Sequence, residues 1–204
     1  GIKRLARVMD VEARQFELVQ ELTDNVELPV QVTIASGFPK GDKLEFITQK
    51  VTELGASQIW AFPADWSVAK WDGKKLGKKV EKLEKIALGA AEQSKRNVVP
   101  SIQLFGKKAD FLAQLDQFDR IVVAYEESAK EGEAAALLQA VTRLEKGAKL
   151  LFIFGPEGGL SPAEIESFEA KGAVLAGLGP RILRAETAPL YALSALSVLL
   201  ELEK

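Results

Sequence analysis

From about residue 28 onward, short apolar runs alternate with longer segments in which apolar positions recur every three or four residues. The runs Val30 to Ala35 (VQVTIA), Gln58 to Phe62 (QIWAF), Ile121 to Ala124 (IVVA), Lys149 to Phe154 (KLLFIF) and Ala173 to Ala176 (AVLA) predict strands, with Pro100 to Phe105 as a further candidate. Helical spacing covers Asp42 to Leu54, Gly73 to Gln93, Ala134 to Leu144, Ser161 to Lys171 and Thr187 to Leu202, with a shorter stretch at Ala109 to Leu115. Strands that are apolar on both faces and separated by helices specify a parallel sheet covered by helices, an α/β fold. The first 28 or so residues break this rhythm. Leu5 to Val8 and Gln15 to Val19 read as two short strands that run into the acidic segment Glu21 to Glu27. Two strands do not make a stable unit alone. Either this hairpin docks on the α/β domain, or it is the remnant of a small β domain whose earlier strands are absent.

Capping signals place two loops at functionally useful positions. Ser161-Pro162-Ala163-Glu164 is a capping box with proline at the first helical position, and Thr187-Ala188-Pro189 starts the last helix. The loops at 155 to 160 and 178 to 186 therefore each join a strand end to a helix start, the edge of an open α/β sheet where ligands bind. The first, Gly155-Pro156-Glu157-Gly158-Gly159, allows left-handed backbone and close approach of a ligand to main-chain amides. It lacks the Gly-Lys-Ser/Thr of a P-loop and the G-x-G-x-x-G spacing of a dinucleotide fingerprint; a tight strand-to-helix turn is the plain alternative. The second, Leu178-Gly179-Pro180-Arg181-Ile182-Leu183-Arg184-Ala185-Glu186-Thr187, gathers two arginines, a carboxylate and a hydroxyl in one connection. A local ion pair between Arg184 and Glu186 explains part of it equally well. In Pro39-Lys40-Gly41-Asp42-Lys43, Asp42 is an N-cap candidate, and Lys40 or Lys43 beside a helix N-terminus suits a phosphate. Ordinary solvated charge also accounts for that segment.

Composition limits the chemistry. The 204 residues contain no cysteine and no histidine, which excludes disulfides, thiolate metal sites, the common zinc sites and any Ser-His or Cys-His relay. Reactivity must come from Asp, Glu, Lys, Arg, Ser, Thr or Tyr, or from a cofactor. With 27 basic and 29 acidic residues the formal charge is -2, so no global basic field marks the chain as a nucleic-acid binder. Locally the balance differs. Among Lys70, Lys74, Lys75, Lys78, Lys79, Lys82 and Lys85, with Lys95 and Arg96 beyond, the spacing puts Lys74, Lys78, Lys82 and Lys85 along one helical face with Lys75 and Lys79 beside it. Such a face either binds nucleic-acid phosphate through counterion release or is simply solvated. The last helix is apolar almost all round, from Leu190 to Leu200, which predicts burial against a second subunit and hence a homodimer. No apolar run is long enough for a membrane span, and no charged-then-apolar leader points to secretion.

Four segments in this order, PKGDKLEFITQKVTELG (39 to 55), EQSKRNVVP (92 to 100), FGPEGGLSPAEIE (154 to 166) and LGPRILRAETA (178 to 188), resemble the ribosomal RNA small subunit methyltransferase E family, a branch of the SPOUT methyltransferases. The likeness spans roughly residues 28 to 202. It implies a methyltransferase that carries a methyl group from S-adenosyl-L-methionine to N3 of a uridine in 16S rRNA. It also implies a cytoplasmic homodimer, a SPOUT-type parallel sheet with a C-terminal trefoil knot, and 16S rRNA or the small ribosomal subunit as partner. Residues 1 to 27 then resemble the final strands of a PUA-like β-barrel that helps bind RNA, and 28 to 204 the methyltransferase domain. By the same resemblance Gly155, Glu157, Gly158 and Gly159 line the cofactor together with Leu178, Gly179, Ile182 and Leu183. Arg184 is the candidate to stabilise charge on the uracil, and Glu186 to orient it or relay the proton. Glu126 borders the same pocket. Lys40, Lys43, Lys74, Lys75, Lys78 and Arg96 are the candidate RNA contacts. Two positions depart from the family pattern: Asp65-Trp66-Ser67-Val68 stands where many members read E-R-S-V, and Ala185 where threonine is frequent. The rival readings are an RNA-binding assembly factor that kept the fold without catalysis, and a SPOUT enzyme acting on another nucleoside.

Overall fold

The computed structural model describes residues 2–23, 25–125, 134–142 and 144–202. Their order is β1 (Lys3–Asp10), β2 (Gln15–Leu22), β3 (Gln31–Gly37), α1 (Lys43–Glu53), β4 (Gln58–Phe62), α2 (Gly73–Gln93), β5 (Ser101–Leu104), α3 (Lys108–Leu112), a 3-10 turn at Leu115–Gln117 and β6 (Arg120–Ala124). There follow α4 (Ala134–Val141), β7 (Lys149–Phe154), α5 (Pro162–Glu169), β8 (Val174–Ala176) and α6 (Thr187–Ser197), which continues into a π-helical turn at Val198–Leu202.

Six strands form one sheet in the order β5-β4-β3-β7-β6-β8, with every neighbouring pair parallel. Ile34 pairs with Ile59 on one side and with Phe152 on the other. From β3 the chain builds outward to β4 and β5, then crosses to lay β7, β6 and β8 on the opposite flank. The reversal lies between β3 and β7, where an open parallel sheet leaves a crevice beyond its carboxyl ends.

Both faces of the sheet are covered, as the two-sided apolar strands require. On one face Val32, Ile34, Leu150 and Phe152 pack with Ile47 and Val51 of α1 and Leu193 and Leu196 of α6. On the other, Trp60, Phe62, Leu151 and Ile153 pack with Phe111 of α3 and Phe168 of α5. Phe62 and Phe111 stack at 4.1 Å between ring centroids, and full burial of each such side chain contributes about 1.5–3 kcal/mol. Among the described residues no helix is long and apolar enough to cross a membrane.

The pattern of elements matches the sequence reading, while several ends move. β3 continues past Ala35 to Gly37. The short helix expected over 109–115 stops at Leu112 and passes into a 3-10 turn. The helix expected to end at Leu144 ends at Val141. Asp42 occupies the N-cap of α1 without a side-chain capping bond, so its place there rests on backbone geometry alone. The capping box at Ser161 and Glu164 forms in full. β1 and β2 pair antiparallel with each other, and almost every residue of both is exposed.

Candidate active site at the carboxyl edge of the sheet

Because all six strands run the same way, the segments after β3, β4, β6, β7 and β8 emerge on one edge. There they enclose a cleft of about 690 Å³ lined by the glycine loop after β7, by Trp66 after β4, by Ala124 and Tyr125 at the end of β6, and by Ile182 to Ala185 before α6. A narrower hollow of about 100 Å³ adjoins it and shares Ala124, Tyr125, Ile182, Leu183 and Ala188; Leu178, Gly179 and Arg181 complete it. The larger volume lies within the range of small-molecule and cofactor sites. Of the eight residues expected to hold a cofactor, Gly155, Glu157, Gly158 and Gly159 line the cleft, Leu178 and Gly179 line the narrower hollow, and Ile182 and Leu183 line both.

The glycine loop is shaped by its own backbone. A Cβ on Gly155 would lie 2.8 Å from the carbonyl carbon of Gly159, so the loop closes on itself only without a side chain there. Pro156 accepts a hydrogen bond from the Gly159 amide at 2.9 Å. Beyond it, Ser161 N donates to Glu164 Oε2 at 2.9 Å and Glu164 N to Ser161 Oγ at 3.2 Å. The same pair reaches across to the loop after β4. Asp65 N donates to Glu164 Oε1 at 3.0 Å, and Ser161 Oγ donates to Asp65 Oδ2 at 2.6 Å. Lys108 completes the cluster by pairing with Asp65 and lying 3.6 Å from Glu164. The Lys108 and Ser161 hydrogen bonds together hold the Asp65 carboxyl below its ordinary range.

Lys43 ties three segments together. Its Nζ lies 2.9 Å from Glu157 Oε1 of the glycine loop and 3.0 Å from Glu186 Oε2 before α6. The Lys40 amide adds a hydrogen bond to Glu157 Oε1 at 3.1 Å. The contact with Glu186 is an ion pair without hydrogen-bond alignment, since that buried oxygen has no aligned donor among the described residues. Burial alone would raise both carboxyls. Lys43 together with each residue's own amide outweighs it, with the Lys40 amide adding for Glu157 and the Arg184 charge for Glu186, and both sit below the ordinary range. The two carboxylates in turn raise Lys43.

This arrangement alters two roles drawn from the sequence. Lys43, expected at the RNA, is committed inside the site to Glu157 and Glu186. Arg96, also expected at the RNA, has a side chain only 3% exposed. Its guanidinium pairs with Glu27 and donates to the carbonyls of Thr52 at 2.9 Å and Ala56 at 2.7 Å, so it joins segments of the fold and is turned from solvent. Glu186 pairs with Lys43 and not with Arg184, which lines the cleft, is exposed and makes no ion pair among the described residues. Lys40, Lys74, Lys75 and Lys78 are exposed. Lys79 lies over the Trp71 ring at 4.4 Å, and Lys82 pairs with Glu45 at 2.6 Å. Glu126 lies outside the described residues. Sequence reasoning assigned no site role to Tyr125 or to the Asp65, Ser161 and Glu164 cluster. The usable signal was position: each follows a strand at the same sheet edge as the glycine loop.

Comparison with known proteins agrees with this geometry. The profile of the RNA methyltransferase domain family matches residues 26–197. A ribosomal RNA small subunit methyltransferase E of Bacillus subtilis is 54% identical over 185 residues, 91% of this chain and 72% of that protein. Its counterpart in Mesomycoplasma hyopneumoniae is 32% identical over 182 residues, 89% of this chain and 76% of that protein. The crystal structure of a ribosomal RNA small subunit methyltransferase E from Neisseria gonorrhoeae bound to S-adenosyl methionine superposes with a TM-score of 0.76 at 28% identity, covering 98% of this chain and 80% of that one.

Proposed function

Since the chain belongs to the ribosomal RNA small subunit methyltransferase E family, we propose that it transfers a methyl group from S-adenosylmethionine to N3 of a uridine in the 16S rRNA of the small subunit. The observation that carries this reading is the pair of adjoining hollows at the sheet's carboxyl edge. They are walled by the glycine loop and by the 178–186 loop, in a chain that has neither His nor Cys to run chemistry of its own. The residues fit the cofactor. Gly155 lets the loop fold tightly on Gly159, Leu178, Ile182 and Leu183 supply an apolar wall for a purine, and Gly158 and Gly159 border the larger cleft beside them. When bound, S-adenosylmethionine supplies an electrophilic sulfonium methyl group.

The protein's task is then to present N3 in line and to manage one proton. Removing the imide proton puts negative charge on the uracil oxygens. Arg184, exposed at the cleft and without an ion-pair partner among the described residues, is the cation that stabilises it. Glu186, kept ionised beside Lys43 and behind the residues that line the hollows, relays the proton outward and does not take it from N3 directly. Holding the base against the donor supplies much of the remaining acceleration. Lys40, Lys74, Lys75 and Lys78 meet RNA phosphates.

The finer architecture follows the same reading. β8 lies outside β6 while α6 returns to pack on α1 and β7, a path that suits a C-terminal trefoil knot. Residues 1–27 are the last strands of a PUA-like barrel. A second copy covers the outward side of the last helix, where Tyr191, Val198 and Leu202 are exposed, and the enzyme works in the cytoplasm. The test is mass analysis of nucleosides from small-subunit RNA treated with the protein and S-adenosylmethionine: 3-methyluridine is expected. A methyl group on a ribose or another base would reject the N3 assignment, and absence of both binding and transfer would leave an inactive scaffold. In Arg184→Ala, cofactor affinity should stay near wild type while turnover falls by about a hundredfold or more.

A further inference from the structure

Three aromatic residues line the cleft, and they differ in accessibility. Phe154 is buried at 1% exposure and Tyr125 is half-buried, whereas Trp66 is 49% exposed. Its indole lies along the glycine loop. A Cβ on Gly158 would come 3.0 Å from the Trp66 Cβ, and one on Gly159 would come 3.8 Å from Cζ3 of the six-membered ring. The residues on either side of it are pinned, Asp65 by Ser161, Glu164 and Lys108, and Ser67 by the hydrogen bond its backbone N–H donates to the Ala64 carbonyl at 2.9 Å. The backbone that carries the ring is therefore held, and the ring offers a flat wall along the glycine loop at a site that also presents the Arg184 cation. A large apolar surface left half-open on a fixed backbone in a cleft is placed for a planar partner, and fixing it beforehand reduces the ordering cost of binding.

We propose that Trp66 is a stacking platform for an unstacked base of the RNA substrate, so that aromatic contact replaces the stacking a base loses when it leaves its strand. This rests on the reading of the protein as an RNA methyltransferase, because only a nucleic-acid substrate brings bases to the cleft in addition to the cofactor. RNA recognition at single-stranded sites commonly takes this form, and such a contact is insensitive to base identity because every base has a π-face. Trp66 thus contributes affinity and position, while the chemistry remains with the residues nearer N3.

The other two tryptophans make the test direct. Trp60 is 2% exposed, and Trp71 is half-buried with its ring 4.2 Å from Phe38 and beneath Lys79, so a Trp71→Phe background, used throughout, leaves Trp66 as the accessible indole. Titrating the protein with a single-stranded, uridine-containing RNA oligonucleotide should quench that emission saturably. Trp66→Phe should abolish the quenching but bind the oligonucleotide within a fewfold of wild type by filter binding. Trp66→Ala should weaken binding by roughly tenfold, with calorimetric affinity for S-adenosylmethionine unchanged within about twofold. Quenching that persists in Trp66→Phe would overturn the proposal. So would wild-type RNA affinity in Trp66→Ala, or a loss confined to the cofactor, which would make the ring a wall of the cofactor site. Methyl transfer by the wild-type protein is scored separately: if it fails while quenching is seen, the enzymatic reading falls and the stacking contact stands.

Discussion

Lys43 is the residue on which the site's electrostatics turn, because one ammonium holds two carboxylates that would otherwise face each other. The three side chains are 26%, 27% and 20% exposed, a setting in which charge is screened less than at an open surface. Replacing Lys43 with Met removes the cation and leaves burial and mutual repulsion to act on Glu157 and Glu186. The glycine loop and the 178–186 loop then lose their common anchor. Lys43→Met should weaken S-adenosylmethionine binding about tenfold or more in calorimetry and lower the melting temperature, while Lys43→Arg should recover part of both. The pH dependence has a definite sign. Carboxyls held below their ordinary range in the folded state contribute stability that is present above that range and lost as the pH falls through the lowered values. A lysine held above its ordinary value contributes stability that is present below that value and lost as pH rises through the raised one. The melting difference between wild type and Lys43→Met should therefore be widest near neutrality and shrink at both extremes. A difference that grows in acid would show that the ion pairs are not its source.

Elements, in contrast to such pairings, were legible from local pattern. β3, β4, β6 and β7 are apolar on both faces, and the sheet buries both. The helix at Pro162–Glu169 announced itself through Ser161 and Glu164, and both halves of that box form. The loops at 155–160 and 178–186 were readable because glycine and proline punctuate them between a strand and a helix. What local pattern misses is which distant partner a charge finds. Lys43 was read beside a helix start, yet Glu157 and Glu186 lie more than a hundred positions later in the chain. Arg96 follows a lysine-rich helix in sequence and was grouped with it, but the turn after α2 sends its guanidinium inward. There it bonds to the end of α1 at Thr52, to Ala56 before β4, and to Glu27 at the entry to the domain. Glu27 in turn accepts the amides of Asn97 at 2.9 Å and Val98 at 3.1 Å. Truncating one partner of a buried, hydrogen-bonded pair strands the other. Arg96→Ala should lower stability by roughly 3 kcal/mol in urea denaturation, with the RNA affinity of the still-folded fraction unchanged. Reduced RNA affinity without loss of stability would return Arg96 to the interface.

At the scale of the whole molecule a formal charge of -2 coexists with a concentrated basic region, and ion pairing decides how much of it is available. Along α2, Lys82 is spent on Glu45 and Lys79 lies over Trp71, whereas Lys74, Lys75 and Lys78 are exposed and make no ion pair among the described residues. These three occupy the first turns of the helix that follows the Trp66 loop, so cations and stacking surface share one stretch of chain. If they meet phosphates, each displaces condensed counterions, and the logarithm of RNA affinity falls with the logarithm of salt by about 0.7 per contact on a single strand. Replacing all three with Ala should therefore reduce the salt slope by about two and weaken binding most at low salt, where the released ions matter most. Stability should change little, because exposed side chains without partners seldom contribute more than about 0.5 kcal/mol. Affinity for S-adenosylmethionine should not move, since none of the three lines either hollow. Filter binding of the rRNA at several salt concentrations checks this. An unchanged slope would mean that the lysines are only a solvated face, and the phosphate contacts would then have to be sought on other surfaces, beginning with Lys40.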